Sequence, residues 1–335
     1  MHRPRTTAPA RAAALAAAAA LALSACSGAA DAGDPTSAGD PANCPGEVVD
    51  VVVSVGQWGD LVRSLAGDCA NVTTIVDSAA VDPHDFEPTA GDLAAFEDAE
   101  LVVVNGAGYD SWASAAVATL DPAPVVVDAA AAAGVEGAGE HGAAEHETEH
   151  ETDHGHAAGG ANPHLWSSPD GVTATGAAVT AALSELSPDA AGFFAAQADA
   201  WTADLRPYRD AITALQADAT GRSYAATETV FDPMAAEIGL TDATPPGYRA
   251  AASNETDPAP GDIAAFQAAL DDGSIDVLVH NTQTEGSIPA QLRAAAEDAG
   301  VPVVEVTESQ PAGGSSFVAW QLDQLRQLSD ALGGT

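Results

Sequence analysis

From Glu47 onward, short runs of β-branched residues alternate with alanine-rich segments that have helical spacing. The first such run, residues 48–55 (VVDVVVSV), is followed at 58–66 by a predicted helix that ends at Gly67. Continuous Val and Ile runs flanked by helices are typical of parallel strands buried on both faces. The pattern therefore predicts an α/β fold with doubly wound sheets.

The alternation occurs in two halves of the chain. Further strands are predicted at 72–76, 101–104 and 124–128 in the first half, and at 223–227, 248–251, 277–280 and 302–306 in the second. Further helices are predicted at 90–97, 109–120, 170–186, 231–238, 260–270, 288–299 and 317–332. Between the halves, Ser187 and Pro188 begin a helix from about 189 to 217, roughly 45 Å long at 1.5 Å per residue. Two similar halves joined by one long helix is the predicted architecture.

The first 25 residues have the pattern of a signal peptide. Three arginines precede the apolar run 12–23, which is followed by Ser24, Ala25 and Cys26. The sequence LSAC resembles a bacterial lipobox, in which the cysteine becomes the lipidated first residue of the mature chain. We therefore expect a signal peptide at 1–25 and a lipidated, flexible tether at 26–45. An ordinary secretory signal with an incidental cysteine is the alternative.

An exported chain can form disulfides, so one bridge between the two other cysteines, Cys44 and Cys69, is expected, with two free thiols as the alternative. The full chain has 10 basic and 49 acidic residues. Without residues 1–25, seven bases remain against 49 acids, a net charge of −42. A chain this acidic repels phosphate backbones, which excludes nucleic acid as a partner.

Histidine is concentrated in one segment, EHGAAEHETEHETDHGH at residues 140–156, within a predicted loop at 134–160. Five of the nine histidines lie there: His141, His146, His150, His154 and His156. The segment has no apolar side chain larger than alanine and cannot form a core. Imidazole and carboxylate groups are good ligands for divalent transition metals, so these histidines are predicted accessory metal ligands. The alternative is a polar loop whose histidines are incidental.

Two Pro-His pairs lie in loops of the first half. His84 lies in VDPHDFEP after the second predicted strand, and His164 lies in NPHLW just after the histidine-rich segment. Open α/β sheets bind ligands beyond the carboxyl ends of their strands. His280 ends a predicted strand, and we interpret it as a packed or surface histidine rather than one that orients a ligand.

The segments DPHDFEPTAGDLAAFEDAELVVVNGAGYDSW and NPHLWSSP, with a histidine-rich insert between them, resemble substrate-binding proteins of zinc and manganese ABC importers. The resemblance extends from about Gly46 to Leu332. It implies two four-stranded, mostly parallel α/β lobes joined by one rigid helix, with the metal in the cleft between them. The implied boundaries are 46–187 for the first lobe, 188–217 for the linking helix and 218–335 for the second lobe.

The resemblance also implies four metal ligands, two from each lobe. His84 and His164 match the first two. Glu228 matches the third in the pattern of ligand, aromatic residue and Gly-Leu, and Glu308 matches the fourth, where the family usually has Asp. Two imidazoles and two carboxylates form a neutral set around a dication; bidentate carboxylates favour Mn²⁺ and monodentate ones favour Zn²⁺.

The implied function is therefore that of a monomeric, non-enzymatic lipoprotein on the outer face of the cell membrane. It would bind Zn²⁺, slightly favoured over Mn²⁺, as cargo rather than as a cofactor, and deliver it to an ABC permease. Two alternatives remain at this point: a secreted metallohydrolase, and a metal-buffering or adhesion lipoprotein without a transport partner. No G-x-S-x-G motif is present, and the H-E-x-x-H pattern occurs only inside the histidine-rich segment, at residues 146–150 and 150–154.

Overall fold

The structure is a computed structural model that describes residues 36–78, 86–135, 161–284, 286–311 and 315–333. All of them belong to one compact unit. They form an α/β fold with two sheets, each covered by helices. Within these ranges, no helix combines the length and the apolar character needed to cross a membrane.

The sheet of the first lobe has the strand order β1-β3-β2-β4-β5. Its strands are β1 (Thr36–Ser37), β2 (Val49–Val55), β3 (Ala70–Val76), β4 (Leu101–Val104) and β5 (Val125–Asp128). The last four pair in parallel, which confirms the four predicted strands, and β1 is antiparallel to β3. The sheet of the second lobe is parallel throughout, with the order β7-β6-β8-β9. Its strands are β6 (Ser223–Ala226), β7 (Thr241–Asp242), β8 (Val277–Asn281) and β9 (Val303–Val306).

Helices alternate with these strands along the chain. The first lobe contains α1 (Gly56–Ala66), α2 (Ala90–Ala94), α3 (Ser111–Val117), α4 (Ala129–Ala132) and α5 (Pro169–Leu186). The linking segment contains α6 (Ala191–Asp204) and α7 (Arg206–Asp218). The second lobe contains α8 (Asp232–Ile238), α9 (Pro246–Ser253), α10 (Pro260–Asp271), α11 (Ser287–Ala299) and α12 (Phe317–Leu332).

The strand predicted at 248–251 is wrong, because these residues lie in helix α9. Pro246 occupies the first turn of this helix, where a missing backbone N–H costs nothing. Tyr248, the one large apolar side chain of the predicted strand, instead packs edge-on against Phe266 with ring centroids 4.8 Å apart. The fourth strand of the sheet is β7, whose two residues have no readable pattern.

The linking segment is helical but is not one uninterrupted helix. A 3-10 turn at Pro188–Ala190 precedes α6, and α6 and α7 meet at Leu205. Pro207 follows this junction and cannot donate the backbone hydrogen bond that a continuous helix requires. Leu205 N still donates to Trp201 O at 3.0 Å, so the two helices follow one another directly.

Residues 36–45, the last part of the range predicted as a tether, contact the first lobe. Thr36–Ser37 pair with β3, and Asp40 N donates to Asp68 O at 2.9 Å. Residues from 36 onward therefore pack against the first lobe. The remainder of the predicted tether, with Cys26, and the predicted signal peptide lie outside the described residues.

The described residues form three hydrophobic clusters, and one of them extends through the inner sides of both lobes. Its centre is an aromatic cluster in which Phe317 of α12 lies 6.0 Å from Trp201 of α6, 6.4 Å from Tyr208 of α7 and 5.8 Å from Trp320, measured between ring centroids. The backbone N–H of Phe317 donates to Asp60 Oδ2 in α1 at 2.8 Å. Helices from both lobes and from the linking segment therefore share this core.

Cys44 and Cys69 form a disulfide with Cα atoms 5.0 Å apart. It joins the segment before β2 to the end of the 3-10 turn after α1, and Cys69 is fully buried. The bond restricts the chain before the first buried strand.

Replacing both cysteines with serine is expected to lower the free energy of unfolding by about 3 kcal/mol. The disulfide closes a loop with a sequence separation of 25 residues, and without it the unfolded chain has more conformational entropy. Guanidinium unfolding of the oxidised protein and of the double variant measures the difference. Under reducing conditions the two proteins should differ much less. Equal stability under oxidising conditions would contradict the prediction.

Candidate metal centre

The candidate site is formed by loops that follow the carboxyl ends of parallel strands in both lobes. The loop after β4 contributes Tyr109, the loop after β6 contributes Glu228, and the loop after β9 contributes Glu308. Asn281 is the last residue of β8. Parallel strands end at the same edge of a sheet, so the fold brings these side chains together.

The loop after β4 is held rigidly. The buried Asp110 carboxylate accepts hydrogen bonds from the Ser54 hydroxyl at 2.5 Å and from the backbone N–H groups of Asn105 and Gly106 at 2.6 and 2.9 Å. Gly106, Ala107 and Gly108 have positive φ angles of 75°, 51° and 87°. Glycine adopts positive φ without strain, so only Ala107 is strained by this conformation. Burial raises the pKa of Asp110, and these donors oppose the rise. The loop therefore fixes the position of Tyr109.

Tyr109 connects the two lobes. Its hydroxyl donates to Glu308 Oε2 at 2.8 Å and accepts a hydrogen bond from Gln57 Nε2 at 3.0 Å. Burial, followed by the nearby charge of Glu308, raises the pKa of Tyr109 well above its usual value. The hydroxyl thus keeps its proton and acts as a donor to the carboxylate of the second lobe.

His164 lies beside the same carboxylate. Its ring is 2% exposed, and its Nε2 atom lies 3.9 Å from Glu308 Oε2. Its Nδ1 atom lies 2.8 Å from Asn162 Oδ1, which also accepts the backbone N–H of His164 at 2.9 Å. Because Asn162 Oδ1 is an acceptor, Nδ1 carries a proton, and Nε2 is the ring nitrogen that faces Glu308.

The loop of His164 is anchored on both sides. Asn105 Nδ2 donates to Pro163 O at 2.9 Å, and Trp58 Nε1 donates to Asn105 Oδ1 at 3.0 Å. Toward the second lobe, Asn162 Nδ2 donates to Thr229 O at 2.9 Å. The Asn-Pro-His motif therefore orients the imidazole and also contacts the opposite lobe.

Asn281 joins the two glutamates. Its Nδ2 atom donates to Glu228 Oε2 at 2.5 Å and to Glu308 Oε1 at 2.8 Å. The Thr284 hydroxyl donates to the same Glu228 oxygen. Asn281 is 1% exposed, so these hydrogen bonds lie largely out of water. The structure thus brings together His164, Glu308 and Glu228. His164 lies close to Glu308, and the Asn281 amide group bridges Glu308 and Glu228.

Several predicted residues lie outside the described part of the chain: His84, the five accessory histidines and Cys26. Among the residues that are described, no group of three or more His, Cys, Asp and Glu side chains could hold a metal ion. The ligand set that includes His84 stays a prediction.

His280 is a packed histidine, as interpreted from the sequence. It is 9% exposed, and its pKa is lowered by burial and by Arg293, with Glu305 acting in the opposite direction. Its side chain therefore lies among groups outside the candidate site. Asn281 was missed because the strand predicted at 277–280 stops one residue early. A polar residue at the very end of a buried strand is the signal that could have identified it.

Residues 51–331 match the family model for ZnuA, described as zinc-uptake complex component A, periplasmic. Zinc-binding lipoprotein AdcA of Streptococcus pneumoniae serotype 4 is 24% identical over 289 residues, which cover 82% of this chain and 54% of AdcA. Manganese-binding lipoprotein MntA of Halalkalibacterium halodurans is 29% identical over 166 residues, which cover 48% of this chain and 47% of MntA. The matched region thus spans about half of the length of these relatives.

The fold has solved counterparts. The substrate-binding protein FpvC from Pseudomonas aeruginosa, solved in complex with Mn²⁺, has a TM-score of 0.65 at 19% identity, covering 86% of this chain and 99% of FpvC. At this identity the likeness shows the fold alone. The family match covers most of the chain, and the chain belongs to the ZnuA family, whose members are metal-binding substrate-binding proteins of ABC importers.

Proposed function

We propose that this chain captures a divalent transition metal in the cleft between its lobes and delivers it to an ABC permease. The proposed ligands are His84 and His164 of the first lobe and Glu228 and Glu308 of the second. The observation that carries the proposal is the meeting of His164 Nε2 and Glu308 Oε2, 3.9 Å apart and both on side chains that are 2% exposed. A cation placed there would compensate a carboxylate charge that is costly to bury.

The donor types support Zn²⁺ as the preferred cargo. Imidazole nitrogen suits zinc, and the histidine-rich segment at 140–156 would concentrate the same metal near the cleft. Glutamate in place of a third histidine favours manganese, which explains why the preference is modest. The two relatives described above carry zinc-binding and manganese-binding names respectively.

The proposed location is the outer face of the cell membrane, with a lipid on Cys26 and residues 27–35 as the remaining tether. AdcA and MntA are both named lipoproteins, which supports this assignment. In this setting the chain is a monomeric carrier rather than an enzyme, and its partner is the permease of the same importer.

Calorimetric titration tests the proposal. The full protein should bind Zn²⁺ at one tight site and several weaker sites, and deleting residues 140–156 should remove the weaker sites alone, because the cleft ligands lie elsewhere in the sequence. Mn²⁺ should bind the same tight site with lower affinity.

Two results would contradict the assignment. One is loss of the tight site on deletion of residues 140–156. The other is retention of the tight site after His84→Ala and His164→Ala are combined. Circular dichroism of each variant would establish that it is folded before its metal affinity is compared.

A further inference from the structure

We propose that Asn281 and Thr284 make the two glutamate ligands bind the metal through one oxygen each, and that they thereby favour zinc over manganese. This inference rests on the proposed function, because it takes Glu228 and Glu308 as ligands. It assigns a specificity-determining role to two side chains that need not touch the metal.

Glu228 carries the clearest evidence. Its Oε2 atom accepts hydrogen bonds from both Asn281 Nδ2, at 2.5 Å, and the Thr284 hydroxyl. A carboxylate oxygen has two lone-pair directions, and two donors occupy both. Under the proposal, Glu228 therefore binds the metal ion through its other oxygen, Oε1.

The two carboxylate oxygens of Glu308 also have different partners. Its Oε1 atom accepts from Asn281 Nδ2 at 2.8 Å, whereas its Oε2 atom faces His164 Nε2 at 3.9 Å and accepts from Tyr109 at 2.8 Å. The oxygen beside the other proposed ligand is thus Oε2. The amide directs Oε1 away from that position.

The amide of Asn281 cannot exchange its oxygen and nitrogen without loss. Its Oδ1 atom accepts the backbone N–H of Gln283 at 3.1 Å, and its own backbone N–H donates to Thr227 Oγ1 at 3.1 Å. If the amide were flipped, its oxygen would face the carboxylates of Glu228 and Glu308, and its NH₂ group would face the backbone N–H of Gln283. Both arrangements are repulsive. The hydrogen-bond network therefore assigns Nδ2 as the donor to both glutamates.

The number of oxygens that each carboxylate supplies affects the choice of metal. Monodentate carboxylates and imidazoles give the four-coordinate tetrahedral geometry that suits Zn²⁺. Bidentate carboxylates raise the coordination number toward the six-oxygen type of site preferred by Mn²⁺. Removing the donors from Asn281 and Thr284 should thus shift the site toward manganese.

The test uses protein that lacks residues 140–156, titrated separately with Zn²⁺ and Mn²⁺. In the double variant Asn281→Ala/Thr284→Ala, we expect the preference for zinc, taken as the ratio of the two dissociation constants, to fall by about tenfold or more, on the order of 1.4 kcal/mol. X-ray absorption of the zinc-loaded variant should show additional oxygen neighbours. Thr284→Val, which keeps the shape of the side chain, should shift the ratio in the same direction without opening a cavity.

The matched control is Asn254→Ala/Thr220→Ala, the same two changes at exposed positions. It should leave both the affinity ratio and the zinc coordination unchanged. An unchanged ratio and an unchanged zinc environment in the Asn281 and Thr284 variants, with one metal still bound per chain, would overturn this inference and leave the proposed function standing. Absence of any tight site in the parent protein would overturn both.

Discussion

Replacing His164 with alanine in protein that lacks residues 140–156 is expected to weaken zinc binding by more than about 100-fold. Loss of a group that only orients a ligand typically costs 10–100-fold, and loss of the ligand itself should cost more. The imidazole is 2% exposed, and Asn162 holds it with Nε2 directed toward Glu308. Competition against a chromophoric zinc chelator at constant pH measures the change in affinity.

His280→Ala is the matched control for this prediction. It is the same substitution at a histidine of similar burial, 9% exposed, whose charged neighbours are Arg293 and Glu305. It should reduce stability while leaving zinc affinity within about twofold of the parent value, a margin well below the 10–100-fold cost of losing an orienting group. If both variants lost zinc affinity equally, the loss would reflect damage to the fold, and His164 would not be a ligand.

The elements that the sequence predicted well are those that local signals define. Strand β4 is a continuous buried run, and its bounds are the predicted ones. Helix α12 also has its predicted bounds, because Ser316 caps its first turn by accepting from Ala319 N, and Gly333 ends it with a φ of 81°. Both signals lie within a few residues of the element itself.

Two strands that were missed depend on distant partners. Strands β1 and β7 have two residues each and exist because β3 and β6 offer a free edge. The junction between α6 and α7 at Leu205 was also missed, although Pro207 marks it in the sequence. The helical pattern continues on both sides of this junction, so the sequence was interpreted as one uninterrupted helix.

The candidate site also combines residues that local signals identify with contacts that depend on distant residues. The Asn-Pro-His motif identified His164, since its signal is contained in a few adjacent residues. The contacts of Glu308 with Tyr109 and Asn281 join residues 199 and 27 positions apart, and no local pattern encodes them. Motifs could therefore suggest which residues bind the metal, whereas only the fold indicates what holds those residues in place.

Phe317→Ala is expected to lower the free energy of unfolding of the metal-free protein by about 3–5 kcal/mol, the usual cost of removing a buried phenylalanine ring. The side chain is fully buried, and its neighbours Trp201, Tyr208 and Trp320 lie on three different helices. Helices that are fixed by both lobes cannot all move inward to fill the cavity. Urea unfolding followed by circular dichroism measures the loss.

A second effect distinguishes Phe317 from other buried aromatic residues. Its helix begins against Asp60 of the first lobe, so its packing helps to fix the two lobes relative to each other. Phe317→Ala should therefore also weaken zinc binding, by about tenfold, as expected for coupling between two regions of a protein. Phe266→Ala removes an equally buried ring from a core confined to the second lobe, and should cost similar stability with little change in zinc affinity. If Phe266→Ala weakened zinc binding as strongly, general loss of stability would explain both results, and packing between the lobes would have no special role in holding the metal ligands.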